Sequence, residues 1–124
     1  MKKLIPIALV FVLASCFGRI EHAKKPDNLI PRDKMVQVIT ELVKLESYIQ
    51  SSYPSVAEYN KVMINSSDKL FRRLGITDEQ FEASMNYYGS HQKMMKEIYN
   101  DALDELNSEL GELEASKDKK KSVE

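Results

Sequence analysis

Met35, Val38, Ile39, Leu42, Leu45 and Ile49 recur every three or four residues, the period of an α-helix and not of a strand. Val36 and Val43 widen that stripe to about half the helix circumference, so this helix is expected to be mostly buried. The same spacing returns in Val56, Tyr59, Val62, Met63, Leu70, Phe71 and Leu74. It returns again in Met95, Ile98, Ala102, Leu106, Leu110 and Leu113. A chain patterned this way predicts an all-α fold, a small bundle of about four helices with no strand.

Punctuation divides the helices. Pro31 suits a first helical turn, where its missing N–H costs nothing, and Asp33 places a negative charge at the positive helix end. Pro54 disfavours helix in the residue before it, so the first helix stops around Gln50 to Tyr53. Ser55 with Glu58 forms a capping box for the second helix. Asn65, Ser66 and Ser67 interrupt its stripe with small polar residues, which predicts a close helix contact or a kink. Gly75 ends it as a left-handed cap. Thr77 and Gln80 form a second capping box, stapled by Ile76 and Phe81. A short third helix is then expected from Asp78 to about Tyr88, burying Phe81, Met85 and Tyr88. Gly89 would end it and Ser90 would cap a fourth, from His91 to about Leu113. Leu103, Leu106, Leu110 and Leu113 form a coiled-coil-like seam. It is about two heptads long, which predicts packing within the domain rather than a zipper.

The start of the chain has the layout of an export signal. Lys2 and Lys3 precede an apolar run from Leu4 to Leu13, and small residues Ala14 and Ser15 follow. The run is shorter than the roughly 20 apolar residues that cross a hydrocarbon core. Leu13-Ala14-Ser15-Cys16 resembles the bacterial lipobox. The resemblance implies a diacylglyceryl group on the Cys16 thiol, cleavage before Cys16, and an acyl chain on the new amino terminus. Two or more acyl chains make a stable anchor where one does not. Cys16 is the only cysteine, and left unmodified it would be a free thiol in an oxidising compartment. The expected organisation is a signal peptide over 1–15, a lipidated flexible tether over 16–28, a helical domain over 29–115 and a disordered charged tail over 116–124. By resemblance to enterobacterial sorting, Phe17 after the cysteine does not signal inner-membrane retention. The expected place is therefore the outer membrane, facing the periplasm.

Cleavage would remove Lys2 and Lys3 and no acidic residue. Lys plus Arg falls from 18 to 16 against 19 Asp plus Glu, and the net charge moves from -1 to -3. That balance argues against a nucleic-acid partner. The domain lies near the lower size limit for a self-sufficient core, and no disulfide can assist it.

Asn28-Leu29-Ile30-Pro31, Lys34-Met35, Leu45-Glu46, Tyr48, Leu74-Gly75-Ile76-Thr77, Gln80-Phe81, Ser84, Tyr87-Tyr88, His91 and Ile98-Tyr99 together resemble a family of short Bacteroidota lipoproteins, the domain-of-unknown-function 4296 family. The resemblance covers nearly the whole mature domain and is most specific from Phe81 to Tyr88. It implies an all-helical lipoprotein and supplies no activity.

No catalytic set stands out. His22 and His91 are not at metal-ligand spacing, and no second cysteine offers a metal site. There is no G-x-S-x-G and no Gly-rich phosphate loop. Beyond the lipid on Cys16, no cofactor is expected. Tyr48, Tyr87, Tyr88 and Tyr99 could line a groove, but the preferred reading is that their rings fill the core with their hydroxyls at its rim. Glu46 breaks the pattern. At about 100° per residue it falls inside the arc of Ile39, Leu42, Val43 and Leu45, where a carboxylate is costly unless paired. The expectation is a buried or binding carboxylate whose partner is Arg73, Lys69 or a tyrosine hydroxyl.

These features favour a non-catalytic module that docks on another envelope protein. An alternative is a periplasmic chaperone-like binder of unfolded chains, since methionine-rich helical surfaces adapt to many partners. An enzyme built on Glu46 lacks a second catalytic group.

Overall fold

The computed structural model describes residues 22–121. Four helices follow in order: α1 Arg32–Ser52, α2 Val56–Leu74, α3 Asp78–Ser90 and α4 Gln92–Lys121. No strand occurs among the described residues, and the all-α bundle read from the sequence is the fold. The signal peptide, Cys16, the first part of the tether and residues 122–124 lie outside the described residues.

The caps form as the sequence dictates. The Ser55 hydroxyl accepts from the Glu58 N–H, and that of Thr77 from the Gln80 N–H at 3.1 Å. Gly75 closes α2 at φ 71°, in the left-handed region where a side chain would be strained. The α3–α4 junction differs from expectation. Gly89 and Ser90 are still helical and the break falls at His91. Ser90 does not cap α4. Its hydroxyl donates to the Tyr87 carbonyl and accepts from the Ala23 N–H.

α1 is the central helix and packs against both α2 and α4, while α3 packs on α4. Side-chain bonds fix the directions. Arg32 meets Asp101, Thr40 meets Glu105 and Lys44 meets Glu109, so α1 and α4 run parallel. Arg73 meets Glu41 and Tyr59 meets Glu46, so α1 and α2 run antiparallel.

The core gathers at one end. Met35, Val36, Val38 and Ile39 of α1 meet Leu70 and Phe71 of α2, Tyr88 of α3, and Ile98 and Ala102 of α4. The Phe71 and Phe81 rings stack at 4.8 Å. Away from this end the stripes lose their cover. Val56 and Ile64 of α2 are exposed, as are Leu103, Leu110 and Leu113 of α4. Of the leucine seam only Leu106 is half-buried, so most of the seam does not pack within the domain, contrary to the expectation from its length.

Two boundaries are corrected. α4 continues to Lys121, so residues 116–121 are helical rather than a disordered tail. Ser116 bonds back to the Leu113 carbonyl within it. The tether is docked from His22 on. His22 stacks on His91 at 4.6 Å and its Nδ1 donates to the Ser90 carbonyl. His22 and Ala23 are thus held at the α3–α4 corner, and Asn28 is held at the start of α3 by Gln80. α2 is one continuous helix through Asn65, Ser66 and Ser67.

Candidate functional site

Glu46 is exposed, and the expectation of burial is corrected. Its wheel angle does match the buried arc of α1, but burial along that arc is not continuous: Ile39 and Ile49 are buried while Glu46 between them is exposed. Glu46 stands seven residues past Ile39, about 10 Å further along the axis. It accepts a hydrogen bond from the Tyr59 hydroxyl at 3.1 Å, so the partner is a tyrosine and not Arg73 or Lys69. The same bond raises the Tyr59 pKa, because the phenol donates to a carboxylate.

Arg73 instead reaches Glu41, with Nη2 2.9 Å from Oε2. Lys44, three residues after Glu41, also contacts that carboxylate and shares itself with Glu109 at 2.9 Å. Both bonds raise the Lys44 pKa, that from Glu41 more. Glu41, Lys44, Leu45, Tyr48, Ser66, Lys69, Leu70 and Arg73 together line an open cleft of about 400 Å³ between α1 and α2. The sequence reading had Arg73 and Lys69 on the right edge of α2. It missed Glu41, whose only local signal is its i,i+3 spacing from Lys44.

The four tyrosines do not share a groove. Tyr88 is buried in the core, and its hydroxyl donates to the Ile30 carbonyl at 2.7 Å. Burial raises its pKa. Tyr87 is half-buried, edge-on to Tyr88 at 5.4 Å, and also packs on His91. Tyr48 sits at the cleft and Tyr99 on α4, both exposed.

Ser84 is a buried residue that pattern reading overlooked. Its hydroxyl accepts from the Ile30 N–H at 2.9 Å and donates to the Gln80 carbonyl. With Tyr88 one turn later, it satisfies both backbone groups of Ile30 in the extended segment before α1. Gln80 adds a bond to the Asn28 carbonyl. α3 is thus the clamp for residues 28–30.

Several exposed apolar residues lie along α4. Leu103, Leu110 and Leu113 are 56%, 55% and 58% exposed. Between Asp101 and Glu114 this helix carries six acidic residues and no basic one. Asp101, Glu105 and Glu109 are engaged by α1; of the other three, Glu114 falls on the leucine side of the helix at about 100° per residue, whereas Asp104 and Glu112 fall away from it. Met35, Met85, Met94 and Met95 lie in or against the core rather than on this surface.

Among the described residues no three of His, Cys, Asp and Glu come together as a metal ion would require. No helix among them is long and apolar enough to cross a membrane. No curated protein and no solved structure matches the chain. Residues 26–112, from the docked segment through Leu110 of α4, match the family described as a domain of unknown function (DUF4296), and the chain belongs to that family.

Proposed function

We propose that this protein is a lipid-anchored helical module of the cell envelope, without catalysis of its own, that docks on another envelope protein through the leucine face of α4. The exposure of Leu103, Leu110 and Leu113 carries the reading, since leucines repeated on one helix face and left in water mark an interaction site. The acidic stretch from Asp101 to Glu114 argues against parallel pairing with a second copy, which would bring like charges together. It favours a partner helix with apolar and basic faces.

The anchor is the lipid on Cys16, and the outer membrane facing the periplasm is the proposed place. Five residues separate Cys16 from His22, and the six steps between them span at most about 20 Å. The α3–α4 corner, where His22 docks, is therefore the end nearest the membrane in this reading. Leu113 lies about 30 Å along α4 from that corner, which suits a protein partner better than the bilayer.

A photo-crosslinking residue at Leu110, introduced in the native envelope, should give one stoichiometric adduct. Leu103→Glu with Leu113→Glu should abolish it while melting like the parent, because both side chains are exposed. Several weak adducts with unfolded chains would favour the chaperone-like reading. An adduct indifferent to both substitutions would remove the docking face.

A further inference from the structure

The cleft between α1 and α2 presents hydrogen-bond donors that the fold itself does not use. Lys44 from one helix and Arg73 from the other converge on Glu41, which fixes both. Arg73 uses only Nη2 there, so its remaining N–H groups have no acceptor among the described residues. Lys69 stands one turn before Arg73 on the same cleft wall and has no carboxylate within reach among the described residues. Ser66 and Tyr48 add hydroxyls, and Leu45 and Leu70 add apolar surface.

The local charge is opposite to that of the whole. The chain carries a net -1, yet three cations line this cleft against Glu41 alone. One positive charge remains in excess even when Glu109, which shares Lys44, is counted. Cations held near one another by a single carboxylate are arranged for an anion with more acceptor atoms than a carboxylate offers. A phosphate group has that geometry. It can take a fork from Arg and point charges from two Lys at once.

We propose that this cleft binds a phosphate group, as a monoester or diester, whose carrier lays an apolar or ring portion on Leu45, Leu70 and Tyr48. The site is separate from the α4 face, so either can fail without the other.

The test is a titration of the full-length chain with inorganic phosphate, followed by nuclear magnetic resonance of its amide and Arg side-chain N–H signals. Saturable shifts should appear in residues 66–73 and at the Arg73 Nε–H, and should leave residues 110–121 unmoved. Lys69→Gln should weaken binding about tenfold, the scale of one charged hydrogen bond. It should also keep the remaining spectrum, since Lys69 holds nothing in the fold. Absence of a saturable shift, or equal affinity in Lys69→Gln, would overturn the proposal. Phosphatidylglycerol and phosphatidylcholine vesicles then separate the sources. Displacement of phosphate by the first and not the second identifies a lipid headgroup. Displacement by neither identifies a soluble phosphate ester, and both results uphold the site.

Discussion

The Tyr88 hydroxyl donates to the Ile30 carbonyl at 2.7 Å, and the bond is buried. One turn earlier the Ser84 hydroxyl accepts from the Ile30 N–H. Two side chains of α3 thereby do for Ile30 what a neighbouring strand would do in a sheet. A buried backbone group without a partner is costly, so this clamp is what lets an extended segment enter the core just before α1.

Ser84→Ala removes the acceptor and leaves the Ile30 N–H buried and unpaired. The expected cost is about 1–3 kcal/mol, read as a lower urea midpoint with the slope unchanged. Tyr88→Phe should cost a similar amount by orphaning the carbonyl. Because both act on one residue, the double variant should lose less than the sum.

Tyr88 also sets an alkaline limit. Burial raises its pKa in the folded state above the ordinary tyrosine value of 10.0. The native protein then holds a proton that the unfolded chain releases, so stability is fully present below about pH 10 and falls as pH rises beyond it. The Lys44 pKa, raised by Glu41 and Glu109, acts in the same direction. Thermal melts from pH 7 to 11 should show the decline, and Tyr88→Phe should flatten part of it. An equal decline in that variant would remove the assignment to Tyr88.

Thr77→Ala should destabilise by about 1 kcal/mol through loss of the α3 cap. The N-terminal turn of α3 holds the Glu79 carboxyl below its usual range, first through its own backbone N–H and then through Thr77. That contribution is present above the ordinary carboxylate pKa and is lost as pH falls through the folded value. The difference between parent and Glu79→Gln in chemical denaturation should therefore shrink toward acid.

Glu46→Gln should melt like the parent, since Glu46 is exposed and shares one bond with Tyr59. Glu41→Gln should melt lower, because it releases Lys44 and Arg73 together. The loss should be near 1 kcal/mol and should diminish in high salt, as suits partly exposed pairs. Equal melting of the two variants would contradict the placement of the α1–α2 ion pairs.

Cys16→Ser should abolish incorporation of a labelled fatty acid and leave the chain uncleaved or released from the membrane. Equal labelling of variant and parent would contradict the lipid anchor.

Helix period, Pro54, Gly75 and the Ser55 and Thr77 caps were legible in the sequence because each acts within a few residues. Local chemistry determined the four helices and most of their ends. The course of α4 past Leu113 was not legible, since residues 116–121 show no apolar period and are helical while wholly exposed. Nor was the docking of His22 on His91, two residues 69 positions apart that meet only because the α3–α4 corner turns there.

The fate of Glu46 and Glu41 shows where sequence stops. A helical wheel gives the direction of a side chain and says nothing of how far along the axis a neighbour covers it. Glu46 points along the buried arc of α1 and stands between buried Ile39 and Ile49, yet it is exposed and bonded to the Tyr59 hydroxyl. Glu41 lies off that arc and yet is held by Lys44 and Arg73, because α2 returns antiparallel at that level. The sequence determined which faces are apolar and where helices begin. Only the tertiary arrangement, through the lengths over which α2, α3 and α4 meet α1, decided which of those faces are buried and which leucines and cations remain for a partner.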